Sequence, residues 1–349
     1  MSTRVVGLDI GSTSVRAVEV SANGKSKPSL LRFHEVPMPL GAVSRGEVLE
    51  PNTVATALRE LWATGGFSSK KVVLGVGNQG VLARDLSVPK MSLKRIREAL
   101  PFQVQDMLPV PVADALLDFY PVSESQGENG PMVNGLLIAA VKDSVLGTVR
   151  AVQAAGLTPV GVDLIPFALS RILISRSKLQ GTIVLIDVSA NTTSVVIAID
   201  GVPQFVRLVP AGGDDLTEAL KLGLEVEAIR AQELKESLGL NGKPTTEEEA
   251  RAAEIIFEIM GELLGSLRNT INYFMNSRTQ QPVGQIILTG RGARLPGFAE
   301  ALTEMTRIPV VETDPFVSVS IAPKLSSVMV KGSRSTALVA LGLAVGGMA

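Results

Sequence analysis

Two short stretches of this 349-residue chain hold the residue types needed to grip a phosphate and a hydrated cation. In the first, the apolar, largely β-branched run Val5-Val6-Gly7-Leu8-Asp9-Ile10 ends at a carboxylate, Gly11-Ser12-Thr13-Ser14 follows, and Val15 resumes the pattern to Val20. The spacing predicts strand, turn, strand. Gly11 lets the backbone curl, and the small hydroxylated residues turn N–H and O–H donors toward one point, with Asp9 beside them for a cation. In the second stretch, Thr182-Ile183-Val184-Leu185-Ile186 runs to Asp187, a small polar turn through Ser189, Asn191 and Thr192 follows, and a β-branched strand leaves over 193–199. The sequels agree as well. Asn23-Gly24 and Asp200-Gly201 are tight-turn signals, each followed by a third strand, over 28–39 and 204–209. This is an internal repeat, and two such units face to face would bring two carboxylates and two nests of donors to one cleft. Magnesium triphosphate needs that arrangement, with donors for phosphate oxygens and carboxylates holding the metal largely through water.

Two glycine loops follow. Ala211-Gly212-Gly213-Asp214-Asp215 precedes a helix start, which favours anions, and Thr289-Gly290-Arg291-Gly292-Ala293-Arg294 lies between a strand and a helix. A third glycine run, Gly75-Val76-Gly77-Asn78-Gln79-Gly80, has the dinucleotide spelling but not its context. A strand over 81–88 follows where a helix is required, and position 95 is Arg where an acid is required. His34, the only histidine, sits between Phe33 and Glu35 in a strand pattern, which argues against a histidine-based triad or metal cluster. With no Cys, the chain has no disulfide, thiolate nucleophile or zinc–thiolate site.

The elements that must position these residues are those of a large globular protein. Hydrophobic residues make up 46%, charged residues 19% and aromatics only 4%, so the cores are built from Val, Leu, Ile and Ala. The net charge of −1, without a basic block, argues against nucleic-acid binding. Neither a signal peptide nor a span of the ~20 residues that a membrane requires is visible, so the expected location is cytoplasmic unless a partner tethers the chain. A helix is predicted over 51–62, closed by Gly65-Gly66, then a strand over 71–76. Residues 82–142 have their own character: a strand, a helix from Ser92 to about Met107, and strands over 115–122 and 133–140 joined by a polar loop over 123–131. That is an inserted unit near the lower size limit for a domain. Beyond it come a helix over 142–155, a strand over 157–162, and helices over 166–175, 216–224, 226–238 and 246–277. The last has capping-box signals at Thr245 and Thr246 and a broad apolar face of Ile255, Ile259, Leu263, Leu267 and Ile271, flanked by Ile256, Met260 and Leu264. A strand over 285–289, a helix over 296–305, a short strand at 310–311 and a helix over 335–345 complete the reading.

Across essentially the whole chain these motifs resemble the superfamily of actin, the sugar kinases and the heat-shock chaperone ATPases. Residues 5–20 resemble its first phosphate motif, 183–199 its second, 286–301 its adenosine motif and 335–346 its second connecting segment. The inserted unit is similar to the small (SHS2) subdomain of FtsA and PilM. Val88-Pro89-Lys90-Met91-Ser92-Leu93-Lys94, Leu108-Pro109-Val110-Pro111 and Leu117-Asp118-Phe119 resemble the PilM family, cytoplasmic actin-like components of type IV pilus assembly. The implied fold class is α/β: an actin-like ATPase fold of two duplicated α/β domains around a nucleotide cleft. The first core would comprise 1–81, 143–180 and 323–349; the second 181–220 and 275–322, with a helical subdomain at 221–274 and the inserted subdomain at 82–142.

The resemblance further implies ATP and Mg2+ as cofactors. Asp9 and Asp187 would face the metal through water, while Gly11, Ser12, Thr13, Ser14, Asn191, Thr192, Gly212 and Gly213 hold the phosphates. Arg16 stands at the offset of the actin-type phosphate lysine. Gln232 and Lys235 match the run that grips ribose and adenine, and Gly290, Gly292 and Ala293 would line the nucleoside. Three departures, Ser189 for Gly, Gln232 for Glu and Arg291 between the glycines, argue for weak or no ATPase activity. The implied partner is the cytoplasmic tail of a PilN-like inner-membrane pilus protein, which would place the chain at the inner face of the membrane. Val88, Pro89, Met91, Leu93 and Ile96 are groove candidates, although an internal core explains them equally well. Pilus motor or platform proteins and self-association are further expectations; nucleic acid and direct membrane insertion are not. Two alternatives are a metabolic kinase, for which no motif supplies a carboxylate base, and an FtsA-like cell-division filament, whose C-terminal membrane helix has no counterpart before Ala349.

Overall fold

The computed structural model describes residues 3–22, 27–128, 130–277, 281–326 and 335–348. The Asn23-Gly24 turn lies outside them. The repeat read from the sequence becomes two sheets of one design. In the first, the strand Thr3–Ile10 pairs antiparallel with Ser14–Ala22, which pairs antiparallel with Ser29–Pro37. On its other side Thr3–Ile10 runs parallel to Lys71–Val76, and that strand parallel to Thr158–Leu164. The second sheet repeats this order with Thr182–Val188 at the centre, Thr193–Ile199 and Val202–Val209 on the antiparallel side, and Val283–Thr289 and Val310–Val311 on the parallel side. Asp9 and Asp187 are therefore equivalent residues, each next to last on its central strand. Asp200 and Gly201 both take positive φ, 49° and 84°, as a two-residue hairpin turn of this hand requires.

Both central strands are apolar on both sides because both faces of each sheet are covered. In the first lobe, Val6 and Leu8 pack against the helices Pro51–Gly65 and Lys142–Ala154 through Val54, Leu58, Leu61, Ala151 and Val152. The opposite face receives the final helix, Leu338–Gly346, which approaches so closely that a Cβ on Gly7 would lie 1.9 Å from the Ala340 carbonyl oxygen. The same helix meets the helix Ile165–Ser170 through Gly342, where a Cβ would lie 2.2 Å from the Ala168 carbonyl oxygen. In the second lobe, Val184, Ile186, Val195 and Ile197 face the long helix Glu247–Ser277 and its neighbours. Ile256, Met260, Leu263, Leu264, Leu267 and Ile271 are buried there, whereas Ile255 and Ile259 lie on the flank. Only Thr246 caps the long helix, accepting the Glu249 N–H at 3.1 Å, while the Glu249 carboxylate reaches back to the Thr245 N–H at 2.6 Å. The other face of the second sheet (Ile183, Leu185, Val196, Ala198) joins Leu169, Leu173 and Leu338 in a core shared between the lobes.

The inserted unit is a three-stranded antiparallel sheet with Gly130–Val141 between Val81–Pro89 and Ala115–Gly127. The helix Leu93–Gln103 packs against it, and Ser92 caps that helix by accepting the Arg95 N–H at 3.4 Å. This helix stops short of the expected Met107. Pro101 removes a backbone donor in its last turn, and a 3-10 turn over Gln105–Met107 follows. Within the polar loop expected over 123–131, residues 123–127 and 130–131 instead continue the paired strands, with Ser125 opposite Met132 and Gln126 opposite Pro131. Most of those residues are exposed, so no alternation of apolar and polar residues marked them as strand. The helix read over 166–175 splits into Ile165–Ser170 and a π-turn over Arg171–Ser175, from which Arg171 bridges Asp163 at 2.9 Å and the Gly342 carbonyl at 2.9 Å. Gly75 and Gly77 serve packing, for a Cβ on either would sit 3.0 Å from Ile165.

Gly7→Ala would drive a methyl into the backbone of the final helix, and overpacking of this kind costs about 1–3 kcal/mol or more. Gly147, mid-helix with nothing within 4 Å of a Cβ, is the control, and Gly147→Ala should stabilise by roughly 0.5–1 kcal/mol. Urea unfolding of both variants checks the pair. Equal stability of Gly7→Ala and the parent would contradict this packing of the final helix.

Candidate functional site

The two Asp turns open onto a single cleft of ≈ 400 Å³, within the range of small-molecule and cofactor sites. Of the residues singled out from the sequence, Asp9, Ser12, Thr13, Arg16, Asp187, Gly213, Gln232, Lys235, Gly290 and Gly292 line it. Gly11, Ser14, Asn191, Thr192, Gly212 and Ala293 do not. Gly11 closes the first turn by donating its N–H to Ser14 O at 3.0 Å, and the Thr192 carbonyl accepts the Ser189 N–H at 2.9 Å. Ser14 is buried, Asn191 donates to Asp215 at 3.4 Å, and Ala293 packs on the second-lobe core. Asp214, Glu236 and Arg294 also line the cleft and carried no motif signal of their own.

Electrostatics divide the cleft into unlike halves. Asp9 and Asp187 are 7% and 5% exposed. Burial pushes the Asp9 carboxyl up, and the Arg16 guanidinium, 3.1 Å away, opposes that shift. Arg16 is held from its other side by Glu35 at 2.9 Å. Asp187 has no ion pair among the described residues, and the charge of Arg16 only weakly opposes its shift. Burial, with a smaller push from the charge of Asp9, drives it up from 3.8 to about 6 against a 2.8 Å hydrogen bond donated by the Ser189 hydroxyl. Ser189, one of the three departures from the family pattern, is thus the carboxylate's hydrogen-bond partner.

The glycine loop 211–215 behaves differently from the anion cradle its sequence suggested. The N–H groups of Gly213 and Asp214 donate to the carbonyls of Ser189 and Ala190 at 2.9 and 2.7 Å, and the Gly212 N–H donates to Asp215 at 2.8 Å. Gly212 is needed for this contact, since a Cβ there would lie 2.4 Å from the Ala190 carbonyl oxygen. The loop holds the Asp187 turn rather than a ligand. Lys235 is buried and donates to Gly213 O at 2.6 Å and Thr217 Oγ1 at 2.9 Å. Burial pushes its ammonium below the usual lysine range, with Asp214 opposing and Arg291 reinforcing the shift. Gln232 extends this network, accepting from Thr217 at 3.1 Å and donating to Glu236 at 2.6 Å.

What fits such a cleft can be tested on the residues themselves. The Ser12 hydroxyl is buried at the cleft wall and has no hydrogen-bond partner among the described residues, an open donor at the place where a phosphate is expected. No cluster of three metal-ligating side chains occurs among the described residues, so Asp9 and Asp187 suit an ion that keeps most of its water. His34 bonds Thr64 at 2.8 Å on the lobe surface, away from the cleft. In the inserted unit, Val88 and Ile96 are 2% and 3% exposed and belong to its own core with Leu100, Phe119 and Leu137. Neither lies on the surface as a groove residue would, whereas Pro89, Met91 and Leu93 are exposed or half-buried.

A family model described as type IV pilus assembly protein PilM matches residues 7–348. The chain is 29% identical to one chain of a solved PilM–PilN type IV pilus biogenesis complex, with a TM-score of 0.84 over 99% of this chain and 98% of that one. It is 23% identical over 341 residues to the cell division protein FtsA of Bacillus subtilis, covering 84% of this chain and 74% of FtsA. MreB 5 of Spiroplasma citri bound to AMPPNP shares the fold, with a TM-score of 0.53 at 12% identity over 98% of this chain and 95% of MreB 5.

The raised Asp187 carboxyl sets a test of the cleft's electrostatics. The folded chain holds that proton more tightly than the unfolded one, so ionising Asp187 costs stability as pH rises from about 4 through 6. Asp187→Asn, which still accepts from Ser189, should be more stable at pH 7.5, by on the order of 2 kcal/mol, and the gain should vanish near pH 4. Thermal unfolding against pH measures it, and a gain independent of pH would contradict the account.

Proposed function

The chain belongs to the PilM family of type IV pilus assembly proteins, and on that premise we propose that it is an actin-like, ATP-binding assembly protein that docks the cytoplasmic tail of a PilN-like membrane protein. The observation that carries this reading is the match, over 99% of this chain, to one chain of a PilM–PilN complex. The nucleotide would lie with its phosphates between the Asp9 and Asp187 turns, near the open Ser12 hydroxyl and Arg16, and its nucleoside toward Gln232, Lys235 and Gly292. Mg2+, when bound, would offset phosphate charge, held through water by Asp9 and Asp187. The residues of the chain fix the rest: Arg16 is kept in place by Asp9 and Glu35, and Lys235 ties the two helices of the nucleoside side together.

The partner's tail would bind beside the inserted unit, where Met91 and Leu93 border the strand Val81–Pro89 and the helix Leu93–Gln103. No helix among the described residues is long and apolar enough to cross a membrane. The proposed partner would place the chain at the cytoplasmic face of the inner membrane.

Two measurements test the two halves of the proposal. Calorimetry should show Mg2+-dependent ATP binding that Asp187→Ala weakens by tenfold or more; unchanged affinity in that variant would remove the nucleotide assignment. The purified chain should capture the cytoplasmic tail of the PilN-like protein encoded beside it. Leu93→Asp should abolish that capture, while Leu222→Asp, an exposed apolar site on a second-lobe helix, should leave it intact. Capture that is indifferent to Leu93→Asp would place the docking surface elsewhere.

A further inference from the structure

On the second lobe's side of the cleft, several of the donors that the sequence promised are spent. The Ser189 N–H closes its own turn on Thr192 O, and the N–H groups of Gly213 and Asp214 are taken by the carbonyls of Ser189 and Ala190. The Ser189 hydroxyl is committed to Asp187, and the Gly212 N–H to Asp215. None of these groups is left to turn toward an anion, and Asp187 and Asp214 add negative charge on the same side.

Four cationic side chains line the cleft among the described residues. Arg16 is held by Asp9 and Glu35, Lys235 by Gly213 O and Thr217, and Arg294 by the Ser335 hydroxyl. Arg291 alone among them has no hydrogen bond or ion pair with the described residues, and it is exposed. The backbone that carries it is nevertheless closely held. Gly290 takes a left-handed φ of 93°, and a Cβ there would lie 2.2 Å from the Val188 carbonyl oxygen, so the loop backbone is pressed onto the strand end one residue beyond Asp187. A Cβ on Gly292 would meet the Val188 side chain at 2.5 Å, which pins the other flank of Arg291 to the same residue. Arg291 lines the same cleft as Asp9 and Ser12 of the first turn and Asp187 and Ser189 of the second, and its charge helps lower the pKa of Glu35 and of Lys235.

We propose that Arg291 is the second lobe's phosphate ligand, its guanidinium replacing the backbone donors that the Ser189–Ala190 turn consumes. A guanidinium suits the task because it stays charged and offers paired N–H donors that match two phosphate oxygens. The ligand class is the polyphosphate chain of a nucleotide, and the inference rests on the nucleotide reading above. It also gives the residue between the loop glycines a use: Gly290 and Gly292 supply the close backbone contact, and Arg291 supplies the charge.

The test is calorimetry on the full chain with three probes: ATP, inorganic tripolyphosphate and adenosine. Arg291→Ala should weaken ATP and tripolyphosphate about tenfold or more, the scale of a lost charge-assisted contact, and leave adenosine unchanged. Arg291→Lys should recover part of the loss, and unchanged melting temperatures would show that both variants are folded. If the parent binds ATP and Arg291→Ala binds it equally well, the inference is overturned while the nucleotide reading stands. Equal loss for adenosine would also overturn it, as a general disturbance of the loop. If the parent binds neither ATP nor tripolyphosphate, the nucleotide reading falls and the inference falls with it.

Discussion

The ion pair between Arg16 and Asp9 sets the terms for the rest of the cleft. A carboxylate buried at the end of a central strand is costly unless a countercharge meets it. Here strand register supplies one. Arg16 lies directly opposite Asp9 across the first hairpin, and Glu35 lies directly opposite Arg16 on the third strand. Three neighbouring strands thus place acid, base and acid in one row, the sheet counterpart of a helix-face ion pair. In the second lobe the residue opposite Asp187 is Ser194, and beyond it Leu208. The row that neutralises the first carboxylate has no charge in the second. Asp187 is left to burial and a hydroxyl, which is why its carboxyl rises to about 6. A duplicated fold has become chemically one-sided through its cross-strand partners.

Glycine holds these halves in place more than it opens them to ligand. Gly7 and Gly342 let the final helix lie almost in backbone contact with the first central strand and with the helix Ile165–Ser170. Gly212 and Gly290 do the same for the two loops that clasp the end of the second central strand. Interiors packed this closely tolerate little adjustment, so the distance between the Asp turns is governed by how the lobes meet rather than by local give. The lobes meet through a shared core that includes Leu169, Leu173, Ile183, Leu185 and Leu338.

Much of the fold was legible in the residues. The repeat around Asp9 and Asp187 was visible because strand period and turn chemistry are local, and the sheets reproduce it strand for strand. The inserted unit stood out for the same reason. Less legible was anything decided by a distant partner. The sequence Ala211-Gly212-Gly213-Asp214 reads identically whether its N–H groups face a phosphate or the carbonyls of Ser189 and Ala190, and only the fold decides. Val88 and Ile96 have the same apolar character as Leu93, yet the sheet turns them inward. The paired strand residues at 123–127 and 130–131 carry no alternation because most of them are exposed, and the bond from the Ser189 hydroxyl to Asp187 depends on a turn geometry that only the fold supplies.

The central claim is that the two turns act together as the two jaws of a nucleotide clamp. Hydrogen–deuterium exchange of the full chain, with and without Mg2+ and ATP, tests it most directly. The account predicts that nucleotide slows exchange in residues 9–14 and 187–192 at the same nucleotide concentration. Protection confined to one turn, or absent from both at saturating nucleotide, would contradict it.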